Sequence, residues 1–368
     1  MAAQADAARD SNHLDQAQAL YRQALAAKPS WAEGWWSLGT ILYDLDHYAP
    51  AARAFTRLVA LDPENGTAHL MLGLCQYQLR SYPASLKNIQ AAENFGIRKD
   101  DALLHVLHYH KAMLLLRNGR YEDAVDPLKL LVEQGVHSEE LDLALGMSSL
   151  LIAPQVLPDD AQKRKVIAAV GQAESLHLAK KNDEALQRYT ELTKEFPKYP
   201  NLHYAFGHYL LRVDDADQAV AQFQQEIQNN PKHVRAYMQI AAARYRTDSA
   251  AGIPYVQKVI QLQPSYPFAH HLLGLLYADT GDTAKALPEL EKAARMVPGE
   301  AQFQFALGNA YAKAGRKEDA ARARAAFFRL SKKAAGADTP ASNTYGDKPN
   351  LKLDSATPSP DGAERQRR

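Results

Sequence analysis

"SLGTILYDLDHYAPAARAFTRLVALDP" (residues 37–63) and "LLGLLYADTGDTAKALPELEKAARMVP" (residues 272–298) carry one pattern at two places in the chain. Each holds a Leu-Gly pair, a tyrosine, a polar turn, an alanine and a closing proline. Apolar residues recur at three and four on both sides of the turn, which predicts two helices joined by it. The prolines set the period. The same interval separates Pro29 from Pro63, Pro197 from Pro231, and Pro264 from Pro298, and the interval from Pro231 to Pro264 is one shorter. A fixed period of this size marks a solenoid, because one helical hairpin cannot bury its apolar face alone and must stack on the next.

Glycines and alanines hold fixed places in this period. Gly39, Gly73, Gly207, Gly274 and Gly308 fall inside first helices, where glycine costs about 1 kcal/mol against alanine, so a packing reason is expected. Ala51, Ala124, Ala185, Ala219, Ala286 and Ala320 hold the facing phase of second helices, so small residues are expected to meet small residues across each pair. "FALGNAYAKAGRKEDAA" (305–321) has the glycines and cations of a phosphate loop, but helix-spaced residues precede Gly315 where such a loop needs a strand. Gly315 lies one full period after Gly281, and "GRKEDA" echoes "GRYEDA" at 119–124. These glycines are read as helix ends with positive φ, followed by Glu318 and Asp319 in a helix's first turn, where the dipole favours anions.

"WWSLGTILY" with Ala51, Phe55 and Pro63 resembles the tetratricopeptide repeat (TPR), a helical hairpin with W…LG…Y in its first helix and A…F…A…P in its second. The resemblance covers a partial unit at the N-terminus (Ala17, Tyr21, Ala24, Pro29) and nine more ending near Leu330. It implies an all-α fold, a right-handed superhelical solenoid of helix-turn-helix repeats, while residues 332–368, rich in Pro, Ser, Thr, Gly and charge and without periodicity, are expected to be a disordered C-terminal tail. The expected divisions are a partial repeat (1–31), an array with an apolar groove (32–152), an irregular proline-containing connection (153–165), an array with a basic and aromatic groove (166–331) and the tail (332–368). At the connection, "PQVLPDDAQKRK" stands where a second helix is due, and Pro154 and Pro158 forbid a regular helix there. The phase resets early across it, from Gly146 to the small Ala173. "NFGIRKDD" (94–101) lengthens another connection, with Gly96 ending one helix and Asp100 capping the next.

Composition narrows the function classes. With 368 residues, 46% of them hydrophobic, the chain is expected to fold. Lys+Arg 43 against Asp+Glu 42 encodes no general pull toward nucleic acid or anionic membrane. The single cysteine, Cys75, closes no intramolecular disulfide, and its apolar surroundings predict a buried thiol. No apolar run approaches the roughly 18 residues of a membrane span. The first residues lack the apolar core of a secretory signal, which predicts a cytoplasmic protein; "AAQA" also resembles the stub left by signal cleavage, and the alternative is a periplasmic or secreted bacterial envelope protein.

Catalytic and metal chemistry find no footing. Of the histidines in "HVLHYH", His105 and His108 share a helix face and His110 is rotated away, so three ligands do not converge. His69, His203 and His270 each stand four residues before a repeat glycine, and His108 four before Ala112, where Trp35 stands in its own unit. They are read as structural replacements for a packing aromatic. No GxSxG, HExxH, Walker or GxGxxG pattern occurs, so no catalytic residue, metal site or cofactor is expected, and the protein is read as no enzyme.

The resemblance also implies where a partner lies, since TPR first helices line a concave groove. Carried over by position, the row reads Trp36, Tyr43, Leu70, Leu74, Tyr77, Tyr109, Met113, Leu116, Leu143 and Met147 in the first half. In the second it reads Tyr204, His208, Arg212, Arg235, Met238, Tyr245, Arg246 and His271. The Lys and Asn clamp with which some TPR domains hold a peptide's C-terminal carboxylates is absent. The expected function is a non-enzymatic scaffold holding a protein's peptide or helix in the groove, with no nucleic acid partner. The alternative is an envelope assembly or glycan- or lipid-handling accessory factor.

Overall fold

A computed structural model describes residues 1–97, 101–245 and 247–336. Among these residues there are nineteen α-helices, one short 3₁₀ turn and no strand. The chain divides into two compact units, Met1–Ala179 and the residues from Lys180 onward.

Unit 1 contains α1 (Ala2–Asp10), α2 (Leu14–Ala27), α3 (Ala32–Asp44), α4 (Tyr48–Leu61), α5 (Gly66–Gln78), α6 (Tyr82–Phe95), α7 (Asp101–Arg117), α8 (Val125–Glu133), α9 (Glu139–Ser149) and α10 (Ala161–Leu178). Unit 2 contains α11 (Asn182–Glu195), α12 (Leu202–Arg212), α13 (Ala216–Asn229), α14 (Val234–Arg244), α15 (Ser249–Leu262), α16 (Pro267–Asp279), α17 (Thr283–Met296), α18 (Ala301–Lys313) and α19 (Lys317–Gly336). Each unit buries its own apolar cluster: Phe55, Leu70, Leu74 and Ile89 belong to the first, and Leu272, Leu276, Leu290 and Phe303 to the second.

The hairpin turns recur in conformation as well as in sequence. Gly119, Gly281 and Gly315 take φ of 71°, 86° and 74°, as expected of them. Where the repeat lacks that glycine, Asp46, Arg80 and Asp214 occupy the same left-handed region at 58°, 59° and 61°. The turn therefore has one backbone shape, which glycine fits without strain and other residues accept at a cost.

The helix-interior glycines seat large side chains. A Cβ on Gly39 would lie 2.8 Å from the Phe55 ring, on Gly207 2.5 Å from Phe223, on Gly73 2.9 Å from Ile89 and on Gly274 2.5 Å from Leu290. The small-to-small meeting read from the sequence is thus a glycine receiving the bulky residue one turn beyond the small one, because that residue points straight across the pair. In the third hairpin the small position is Ser85, fully buried, and its hydroxyl donates to the Gly73 carbonyl at 2.7 Å.

Three features of the described structure lay beyond the sequence pattern. Residues 1–31 hold a complete pair, because the alanine-rich start forms α1; Ala5 and Ala8 are buried, and Arg9 donates to the Tyr21 and Ser37 hydroxyls, both at 3.2 Å. The irregular stretch after α9 is short, a 3₁₀ turn at Pro154–Val156 followed by a loop, and α10 then packs on α9 as its second helix. Gly146 and Gly171 bring those two backbones together: a Cβ on Gly171 would lie 1.7 Å from the Asp142 carbonyl oxygen. Finally, α19 runs to Gly336, past the expected start of the tail at Lys332. The rest of that tail, the expected cap at Asp100 and the groove residue Arg246 lie outside the described residues.

Candidate functional site

The repeat phase builds one hydrogen bond again and again. Trp35 Nε1 donates to the Pro29 carbonyl at 2.8 Å, and the Nε2 atoms of His69, His203 and His270 contact the carbonyls of Pro63, Pro197 and Pro264 at 3.0, 3.0 and 2.9 Å. The acceptor is always the proline closing the preceding repeat, six residues back. The other ring nitrogen of each histidine reaches a second helix: Asn88 at 2.8 Å, Gln222 at 2.6 Å and Glu289 at 2.5 Å. These histidines hook one repeat to the next, and both ring nitrogens are occupied within the fold. Among the described residues no group of three or more His, Cys, Asp or Glu side chains gathers to hold a metal.

On the first-helix row of unit 1 the residues read from the sequence fall into two sets. Leu70 is fully buried and Leu74 is 3% exposed, because every residue of α5 from Gly66 to Cys75 is covered by neighbouring helices. Leu116, Leu143 and Met147 are buried as well. They form the floor of the row, which a partner cannot touch without repacking. Trp36, Tyr43, Tyr77, Tyr109 and Met113 are half-buried and remain accessible.

These accessible rings are held by other rings. Trp36 meets Phe55 edge-on at 5.8 Å. Tyr43 meets Tyr48 at 5.4 Å and Tyr77 meets Tyr82 at 5.6 Å, in the same T-shaped arrangement one repeat apart. His110 stands against Tyr77 at 4.9 Å and Tyr109 at 5.7 Å, and the Arg117 guanidinium lies 3.8 Å above the Tyr82 ring. The result is a pre-arranged aromatic strip, since each ring has few orientations left to lose. Tyr48, Tyr82, His110 and Arg117 were absent from the sequence-derived row; the recurrence of Tyr43/Tyr48 as Tyr77/Tyr82 one period later is the signal that finds the first two.

The rings themselves are uncharged, with the Arg117 guanidinium over Tyr82 and the Asp46 carboxylate accepting from the Tyr48 hydroxyl. Burial raises the pKa of Tyr43, Tyr77 and Tyr109 and lowers that of His110. His110 Nδ1 donates to the Val106 carbonyl at 2.9 Å, which puts the proton there and leaves Nε2 as an acceptor.

In unit 2 the row is more polar. Tyr204 is 2% exposed and belongs to the packing, with His208 at 4.5 Å, His233 at 4.8 Å and Phe223 at 5.8 Å. The buried Glu226 carboxylate accepts the Asn201 and Tyr204 backbone N–H groups at 3.1 and 3.3 Å, satisfying the start of α12, while burial raises its pKa. Met238 and His271 are buried; His271 stacks on Phe303 at 4.5 Å, and burial pushes its pKa down to about 3. His208, Arg235 and Tyr245 remain half-buried and Arg212 is partly exposed, so the accessible set is aromatic and cationic.

Comparison with known proteins agrees with this architecture. The tetratricopeptide repeat family profile matches residues 2–49, 38–102, 204–267 and 271–334. A stretch of 80 residues is 42% identical to a TPR repeat-containing protein of Pseudomonas aeruginosa, spanning 22% of this chain and 31% of that relative's length. Among solved structures, MamA of Desulfovibrio magneticus RS-1 is 22% identical with a TM-score of 0.42, over 48% of this chain and 98% of that one. Yeast Tom70 is 14% identical with a TM-score of 0.40, over 90% of this chain and 84% of that one.

Proposed function

The chain belongs to the tetratricopeptide repeat family, and from that premise we propose that it is a non-enzymatic scaffold whose first-helix faces hold segments of other proteins. The observation that carries the reading is the aromatic strip of unit 1, where Tyr77, Tyr109 and His110 are positioned by one another and left accessible. A pre-ordered aromatic surface suits the apolar face of a helix or extended peptide. In unit 2, Arg212 and Arg235 supply cationic donors that suit carboxylates. The two faces differ in the chemistry they offer.

The test is affinity capture from the source lysate, followed by titration of the captured partner. Replacing Tyr43 and Tyr77 by Ala weakens binding at every salt concentration, each ring contributing about 1.5–3 kcal/mol if fully covered. Replacing Arg212 and Arg235 by Ala instead flattens the salt dependence. A partner retained by both double variants overturns the reading.

A further inference from the structure

A hollow of about 620 Å³ opens among α2, α3 and α4, away from the first-helix row. Leu25, Trp35, Leu38 and Leu61 wall it, and Arg22 and Arg57 stand at its edge. The Trp35 N–H is committed to the Pro29 carbonyl, so the indole is fixed and serves as an apolar wall. The same place one repeat later holds an aromatic stack. There Phe95 takes the position of Leu61 and His69 that of Trp35, and the two rings stack with centroids 5.5 Å apart. In unit 2 the equivalent residue beside His203 is Asn229, whose amide donates to the Pro197 carbonyl at 2.8 Å. Leu61 does neither, since it has no ring to stack on Trp35 and no amide to donate.

The edge charges are particular to this hollow. One repeat on, Arg22 and Arg57 are replaced by Thr56 and Ala91. Arg22 donates to the neutral Gln18 side chain at 3.1 Å, and among the described residues neither guanidinium is in an ion pair. Asp62, next to Leu61, accepts instead from Asn65 at 3.0 Å. Two unpaired guanidiniums beside an apolar hollow walled by Trp35 complement an apolar anchor flanked by carboxylates.

We propose that this hollow is a second docking site, which takes an acidic segment of a partner protein by stacking one of its aromatic side chains on Trp35, as Phe95 stacks on His69 in the next repeat. The segment's carboxylates then pair with Arg22 and Arg57. The site stands independently of the first-helix faces, because it is built from second helices and from the outer side of α3.

The experiment uses the full chain and a fluorescein-labelled peptide, Gly-Asp-Glu-Phe-Asp-Gly, followed by anisotropy and by tryptophan emission. Saturable binding is expected, weakening as salt rises. Leu61→Phe, which sets a ring of the chain's own against Trp35 as Phe95 stands against His69, competes with the peptide's ring and weakens binding at least tenfold. Replacing Arg22 and Arg57 by Gln, two exposed positions that leave the core untouched, weakens it about tenfold, the sum of two exposed ion pairs. Thermal melts show both variants folded. Absence of saturable binding, binding unchanged by Leu61→Phe, or equal binding of a peptide with Asn and Gln in place of its acids overturns the proposal. So does equal affinity for free 3-phenylpropionate, which would make the hollow a small-molecule site.

Discussion

His69 and His271 stand at different places in the repeat and obey different physics. His69 contacts acceptors on both sides, so His69→Leu leaves the Pro63 carbonyl and Asn88 without their partner. An expected loss of about 1–3 kcal/mol follows from stranding buried polar groups, readable in urea unfolding as a lower midpoint. His271 is covered on all sides, with Nδ1 lacking a partner, and its pKa falls from 6.5 to about 3 because burial disfavours the cation. The unfolded chain takes up a proton near pH 6.5 that the folded chain refuses until about pH 3, so folding stability drops on acidification through that window. His271→Phe keeps an aromatic ring against Phe303 and removes this proton. Its melting temperature is expected to fall less than the parent's between pH 7 and pH 5; equal slopes refute the assignment. The hooking histidines were legible in the sequence as a shared phase before the glycine. The burial of His271 was not, since a groove phase and a covered phase differ only by what the neighbouring helix brings.

At the scale of helices, the glycines divide by what faces them. Gly171 has a carbonyl oxygen in the way, which cannot rotate aside, whereas at Gly308 the nearest atom belongs to the flexible Arg324 side chain, at 3.3 Å, and the others lie in ordinary contact. Gly171→Ala is therefore expected to cost about 3 kcal/mol or more, by forcing α9 and α10 apart. Gly308→Ala is expected to be neutral or to gain up to about 1 kcal/mol from helix propensity. Thermal melts of the two variants check the contrast, and a similar loss in both would mean that helix-interior glycine has a single role throughout. Hairpin existence and phase were plain from the Leu-Gly, alanine and proline positions. Helix α1 was not, because its short alanine-rich run shows no apolar stripe, and its place comes from Arg9 bonding to Tyr21 and Ser37. Helix α10 was partly hidden by the two prolines before it, which stop a helix at Pro154 without preventing one from Ala161.

At the scale of the whole molecule, contacts within each unit run mainly between helices adjacent in sequence, as stacked repeats require. For that reason the repeat period alone finds the architecture, while it leaves a partner site underdetermined: period places Leu74 and Tyr77 on one row, and only packing shows that one is covered and the other open. The hollow beside Trp35 was equally invisible, because the position of Leu61 varies from repeat to repeat and the period alone does not show what lies across from it. The proline hook has a consequence for heredity. Donor and acceptor belong to neighbouring repeats but sit six residues apart, so the bond is encoded at the junction between copies. Excising residues 30–63 joins Pro29 to Glu64 and puts His69 six residues from Pro29, recreating the bond with Asn88 still in place. Excising 34–63 puts His69 ten residues away and destroys it. The first deletion is expected to melt cooperatively with helical circular dichroism and the second to lose both. A gene of this kind can lengthen or shorten by unequal recombination, and this hydrogen bond acts as the reading frame that decides which products fold.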